Sequence, residues 1–238
     1  MTTSEFYDNR WEKEEFINLG RFEFTTKILP PMPQASQKIL DLGAGRGHFS
    51  RFLAKKGLFK KEEICCSDFS SYAVKSCQEA GFKAFVWDIE KSPTPETWEL
   101  IFFLECLEHV FHPKVVLQNI RDSLIPGGYL VLSTPNFCHL YWRLKCLLGF
   151  GHEMPGNGHI SLFTPHLAIQ FIENAGMKVE KQLYITRLEM FRAPGRMLAR
   201  IKKILDPKSF QENEYNYIET PFWKNLFGEI MIFLCRRI

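Results

Sequence analysis

From Lys38 onward, short apolar runs alternate with helical stretches, and this alternation restricts the fold more than any other feature of the chain. The runs fall at 38–42, 63–67, 83–87, 100–104 and 129–133, with helical patterns at 47–57, 70–80 and 113–124 between them. Runs of this length are strand-sized. Strands joined through helices pair in parallel by right-handed crossovers. Gly57, Gly81 and the Pro126-Gly127-Gly128 break stand where each helix has to stop. Thr164-Pro165 starts a further helix with a capping hydroxyl and a first-turn proline, Gly176 ends it, and strands follow near 177–186 and 229–235. The pattern predicts an α/β fold: a doubly wound Rossmann-like sheet of about seven strands, mostly parallel with an antiparallel last strand, plus helical cap and lid segments.

One domain over 1–238 accounts for the whole chain. Its divisions are an N-terminal helical cap at 1–35, with an amphipathic helix over 11–29, and a cofactor-binding core at 36–135. The stretches 136–163 and 187–227 are too long for simple connections and read as substrate-side lid insertions.

Charge narrows the partners. The 30 basic and 27 acidic side chains nearly balance, which argues against a general nucleic-acid surface. The seven cysteines form no CxxC pair or zinc-like spacing and read as reduced core thiols. The N-terminus lacks the basic start and apolar run of a secretory leader, and no stretch has the length of a membrane span, so the chain is expected in the cytoplasm. The basic, amphipathic stretch 187–205 adds an expectation of peripheral membrane association or of an acidic substrate.

The first predicted strand ends in Asp41-Leu42 and opens through Gly43, Ala44, Gly45, Arg46 and Gly47 into a helix. Missing side chains at such a turn let a nucleotide approach the backbone. An NAD fingerprint needs a sixth-position glycine, and that position holds His48. Asp41 points further: a carboxylate just before the loop repels a pyrophosphate and attracts an ammonium or sulfonium. Asp68, at the end of the second strand, can accept from both hydroxyls of a ribose, so the expected ligand is a cationic nucleoside.

These residues resemble the first motif and following acid of the class I S-adenosylmethionine-dependent methyltransferases. The resemblance extends through Asp88 in Val86-Trp87-Asp88-Ile89, Trp98-Glu99-Leu100-Ile101, Glu105-Cys106-Leu107-Glu108-His109-Val110 and Leu124-Ile125-Pro126-Gly127-Gly128-Tyr129, in family order. From His159 through Thr164-Pro165 to Gly176-Met177 the chain is similar to the small-molecule branch that includes ubiquinone-pathway O-methyltransferases, and the likeness covers roughly 36–186. It implies an enzyme that binds S-adenosylmethionine and releases S-adenosylhomocysteine. Asp41, Gly43, Ala44, Gly45, Gly47, Asp68, Phe69, Asp88, Ile89 and Leu104 would hold the cofactor. Transfer would go to an oxygen or nitrogen of a small-molecule, lipid-linked or glycan acceptor.

Glu105, Glu108 and His109 would share one face if a helix begins after the fourth strand, near the transferred methyl. His109, Glu105 and His159 are the candidates for chemistry. In some similar enzymes a Glu-x-x-Glu-His set binds a divalent metal, in the RNA 2′-O-methyltransferases with a later histidine. That alternative would enlist Glu105, Glu108, His109 and His159 around Mg or Mn; the reading without metal is preferred here. Other readings are an RNA 2′-O-methyltransferase, a cofactor-binding module without turnover, and an NAD-dependent oxidoreductase. His48, His112, His139, His152 and His166 have no assigned role, and the apolar stretch Phe137–Phe150 could wall an acceptor pocket.

Overall fold

The computed structural model describes residues 19–31, 38–149, 158–187, 217–219 and 224–238. It contains α1 (Leu19–Thr26), β1 (Ile39–Leu42), α2 (His48–Lys55), β2 (Ile64–Asp68), α3 (Ser71–Glu79), β3 (Lys83–Val86), β4 (Trp98–Leu104), α4 (Pro113–Ser123) and β5 (Leu124–Pro135). These are followed by α5 (Leu140–Leu147), α6 (Pro165–Asn174), β6 (Met177–Arg187), β7 (Tyr217–Glu219), α7 (Lys224–Phe227) and β8 (Ile230–Arg237). Among the described residues one eight-stranded sheet runs in the order β3-β2-β1-β4-β5-β8-β6-β7. Strands β1 to β5 pair in parallel, and β8 inserts antiparallel between β5 and β6. This is the expected doubly wound sheet with one three-residue edge strand, β7, added beside β6.

Strand periodicity of two gives the sheet two apolar faces, and consecutive residues of β4 show the division. Leu100 and Phe102 join Ile39, Val131 and Ile232 in packing on Phe22 of α1 and on Phe49, Phe52 and Leu53 of α2. Ile101 and Phe103 join Leu40, Leu132 and Met231 against Val116, Leu117 and Ile120 of α4 and Ile172 of α6. Fully burying each such side chain contributes about 1.5–3 kcal/mol, which fixes both helical layers on the central strands. An aromatic chain, Phe22 to Phe49 to Phe102 with ring centroids 5.1 and 4.9 Å apart, seats α1 on this core.

Two expectations are modified by the structure, and others fall outside the described residues. The amphipathic pattern 11–29 is seen as a helix only over Leu19–Thr26, residues 11–18 lying outside the described part. Strand β5 begins at Leu124 rather than 129, because Leu124 already pairs with Trp98 before the register shifts and Tyr129 resumes opposite Leu100. His152, Phe150 and residues 188–205 of the basic stretch lie outside the described residues. No helix among the described residues is long and apolar enough to cross a membrane.

Candidate active site

The glycine loop is held from three sides at the carboxyl end of β1. The N–H groups of Gly43 and Ala44 both donate to the carbonyl of Ser67, at 2.8 and 3.0 Å. Gly43 has φ 71°, and a Cβ there would lie 2.4 Å from Cys106 Sγ, so only glycine lets the loop meet the chain after β4. Behind the loop, Cys77 Sγ donates to the Gly45 carbonyl at 3.4 Å.

Asp68 fastens this loop to the next helix. Its Oδ2 accepts the N–H of Gly45 at 2.8 Å and its Oδ1 that of Ser70 at 2.9 Å, while Ser70 Oγ caps α3 by accepting from Ala73 N. A carboxylate oxygen can accept more than one hydrogen bond, which receipt of a ribose hydroxyl would require. Asp41 lies beneath the loop, 3% exposed, and accepts a 2.6 Å hydrogen bond from Ser50 Oγ. Burial pushes its pKa up to about 6 against the partly offsetting Ser50 bond.

The third predicted acid, Asp88, sits in the turn after β3. It accepts the N–H of Glu90 at 3.1 Å and pairs with Lys91 at 3.3 Å. Ile89 beside it is buried, and its carbonyl accepts from Asn119 Nδ2 of α4 at 2.7 Å. Glu90, which the sequence did not single out, spans the two halves of the site: its Oε1 accepts from Phe111 N at 3.1 Å and its Oε2 from His112 N at 3.0 Å. Phe69 is half-buried after β2, and Leu104 is half-buried at the end of β4. Trp87 donates Nε1–H to the Ser92 carbonyl at 3.2 Å.

The Glu105–His109 segment departs from the helical expectation. Only Leu107–His109 form a single 3₁₀ turn, and Glu105 precedes it at φ 53°, the left-handed region. Glu105 therefore does not share a helix face with the other two. Its carboxylate accepts from Ser133 Oγ at 2.8 Å and pairs with Arg21 of α1 at 3.3 Å.

Glu108 faces a different environment. It is 1% exposed, and its Oε2 accepts from Thr134 Oγ1 at 3.0 Å. Burial, and next the charge of Glu105, hold its pKa well above the ordinary carboxylate range. Its backbone carbonyl accepts the N–H of Ile160 at 2.7 Å and of Ser161 at 3.0 Å, which brings the 158–161 segment onto the turn. His159 thereby meets His109 edge-on, ring centroids 4.7 Å apart, and Phe137 edge-on with centroids 5.8 Å apart.

The tautomer of His109 follows from its partner. His109 Nδ1 lies 3.0 Å from the carbonyl of Gly158, which can only accept, so Nδ1 carries the proton and Nε2 keeps a lone pair in the neutral ring. Nε2 is 4.0 Å from Glu108 Oε1, too long for a direct hydrogen bond and wide enough for a bridging atom. One donor atom each from Glu108, His109 and His159 lie within 4.8 Å of one another. A carboxylate and two imidazoles, one oriented by a backbone carbonyl, fit a divalent cation. Glu105 is not part of that group.

Next to His159, Phe137, Trp142 and Tyr141 form a continuous aromatic series, with centroids 5.9 Å apart for Phe137–Trp142 and 4.9 Å for Tyr141–Trp142. Lys145 lies over the rings of Tyr141 and Trp142. Helix α5 buries none of its side chains, and Leu147 is 81% exposed.

Comparison with known proteins bears on the family and the fold. The family described as "Methyltransferase domain" matches residues 14–182. The mitochondrial ubiquinone biosynthesis O-methyltransferase of Schizosaccharomyces pombe is 28% identical over 128 residues, half of this chain and 45% of that protein. The ubiquinone biosynthesis O-methyltransferase of Aeromonas salmonicida is 29% identical over 106 residues, 42% of this chain and 44% of that protein. The chain thus spans about half the length of these relatives. A solved S-adenosylmethionine-dependent methyltransferase of Thermotoga maritima, described as a possible histamine N-methyltransferase, shares the fold over 100% of both chains, with a TM-score of 0.66 at 14% identity. An Archaeoglobus fulgidus S-adenosylmethionine-dependent methyltransferase shares it with a TM-score of 0.63 at 16% identity, over 97% of this chain and 99% of that one. On the family match across most of its length, supported by the sheet order and the glycine loop, the chain belongs to the methyltransferase domain family.

Proposed function

We propose that the protein transfers a methyl group from S-adenosylmethionine to an oxygen, or a nitrogen, of a small-molecule, lipid-linked or glycan acceptor. The observation that supports this reading is the contact of Cys106 with Gly43: the turn bearing Glu108 and His109 starts against the glycine loop, so an acid and an imidazole would stand beside a cofactor bound there. S-adenosylmethionine supplies, when bound, a sulfonium methyl displaced in line, with the C–S electron pair staying on the S-adenosylhomocysteine product.

Asp41 would favour the cationic cofactor through its charge, and Asp68 and Asp88 would receive the ribose and adenine ends. His109 Nε2 would take the acceptor proton as oxygen attacks, with Glu108, whose Oε1 is 4.0 Å from that nitrogen, and His159 fixing the acceptor. General-base help of this kind contributes about 10²–10⁴-fold. The aromatic series Phe137–Tyr141–Trp142, with Lys145 at its edge, suits an apolar or aromatic acceptor that carries a negative group.

A second reading has its own support: the Glu108, His109 and His159 donors would hold a divalent ion, which would polarise an acceptor hydroxyl. An RNA 2′-hydroxyl acceptor is the nucleic-acid version of that reading. A cytoplasmic location, and membrane association through 187–205, also remain proposals.

Calorimetry should show S-adenosylhomocysteine binding and no NAD binding; NAD binding alone would overturn the assignment. Labelled S-adenosylmethionine offered with hydroxylated aromatics, lipid-linked phenols, phosphorylated glycans and RNA then identifies the acceptor class. Label on none of them with intact S-adenosylhomocysteine binding would favour a binding module.

A further inference from the structure

The two glutamates of the Glu-x-x-Glu-His string are held by consecutive residues of one strand. Ser133 Oγ donates to Glu105 and Thr134 Oγ1 donates to Glu108. Neighbouring strand residues face opposite sides of a sheet, and the pairing agrees: Ser133 lies opposite Ile232, in the core beneath α1 and α2, and Thr134 opposite Met231, in the core beneath α4 and α6. Glu105 is thus drawn to the side where Arg21 reaches it from α1, and Glu108 to the side where His109 and His159 stand. The left-handed φ of Glu105 reinforces the separation, because its N–H is bound to both the carbonyl and the hydroxyl of Ser133.

We infer that Glu105 is not a metal ligand but, with Arg21, the clasp that fastens α1 over the site, so that any divalent cation is held by Glu108, His109 and His159 alone. This rests on the divalent-cation reading above and assigns the chain's own residues within it. The ion pair is partly buried on both sides, with the Arg21 side chain 28% and the Glu105 side chain 17% exposed, a setting in which loss of one partner leaves the other uncompensated. Arg21 and Ser133 are positioning residues in this scheme.

The test crosses two readouts on the full-length chain in the presence of S-adenosylhomocysteine. Mn²⁺ titration, followed by the spectroscopic signal of the free ion, should show one site. Glu108→Gln and His159→Ala should weaken it at least about tenfold, while Glu105→Gln and Arg21→Met stay within about threefold. Amide exchange of residues 19–26 should show the opposite pattern, about tenfold faster in Glu105→Gln and Arg21→Met and unchanged in Glu108→Gln. Glu105→Gly, which keeps the left-handed backbone without strain, guards against a folding failure and should behave as Glu105→Gln does. Mn²⁺ binding lost equally on changing Glu105 and Glu108 would overturn the inference, as would unaltered exchange in α1. No Mn²⁺ binding to a chain that binds S-adenosylhomocysteine would overturn both this and the divalent-cation reading, and would leave the methyltransferase assignment standing.

Discussion

The hydroxyl of Ser50 donates a 2.6 Å hydrogen bond to the carboxylate of Asp41, and both side chains lie in the interior under the glycine loop. The hydroxyl and backbone N–H of Ser50 only partly replace the carboxylate's lost water, and burial, with the nearby charge of Asp68, raises the pKa from the ordinary 3.8 to about 6. A carboxyl that binds its proton more tightly in the folded chain stabilises the fold while protonated. Between about pH 4 and pH 6 the unfolded chain loses its proton first, so stability falls across that window and the cost levels off above it, at about 3 kcal/mol.

Replacing Asp41 with Asn keeps an acceptor for Ser50 and removes the buried charge. Thermal melts should show Asp41→Asn more stable than wild type above about pH 6, by on the order of 5 °C, with the decline between about pH 4 and 6 flattened. S-adenosylhomocysteine binding by calorimetry should weaken about tenfold or more, because the charge that favours its ammonium is gone. A variant both less stable and fully competent in binding would contradict this account of Asp41.

Glu90 supplies a cap that helix α4 does not provide for itself. The helix opens with His112 at the cap position, without a side-chain cap bond, and Pro113 in its first turn. Glu90 receives the N–H groups of Phe111 and His112 from across the site and adds a negative charge at the helix's positive end. Glu90→Ala should cost about 1 kcal/mol in urea unfolding and accelerate exchange of the Phe111 and His112 amides. Glu90→Gln, left with one accepting oxygen, should fall between the two.

Asn136 closes the end of β5 with both ends of its amide. Nδ2 donates to the carbonyls of Gly228 and Asn225, at 2.8 and 3.3 Å, and Oδ1 accepts from Cys138 N at 2.9 Å in a fully buried position. Asn136→Ala should destabilise the fold by about 2–4 kcal/mol. Asn136→Asp sets a carboxylate against two carbonyls and should cost at least as much near neutral pH, with a smaller deficit near pH 4 where a protonated acid can again donate. Denaturant midpoints at the two pH values separate these outcomes.

Gly43→Ala meets two obstacles, Cys106 Sγ at 2.4 Å and a positive φ. It should abolish measurable S-adenosylhomocysteine binding. Adding Cys106→Ala removes the first obstacle alone. The double variant should regain part of the binding while keeping the backbone cost of roughly 1–2 kcal/mol.

The sheet was legible because apolar runs alternate with helical periods and because glycine or proline stands at most of the breaks. The same patterns placed Asp41, Asp68 and Asp88 correctly at or just after strand ends. What escaped were relations between distant residues. Nothing in Arg21 marks it as the partner of Glu105, and Ser133 and Thr134 read as ordinary strand positions although each orients a carboxylate. The helical face assumed for Glu105, Glu108 and His109 failed because a glutamate carries no sequence signal for a left-handed backbone. His159 entered only through resemblance; its place beside His109 depends on the backbone bonds from Ile160 and Ser161 to Glu108.

The paired hydroxyls at 133 and 134 bear on how relatives should be sorted. Two chains can share Glu-x-x-Glu-His letter for letter and still present different donor sets, according to whether a cation from the N-terminal helix and a hydroxyl at the inner strand position claim the first glutamate. Grouping such chains by what stands at the positions of Arg21 and Ser133, rather than by the string itself, would separate those that spend the first carboxylate on closing the fold from those that leave it available for an ion.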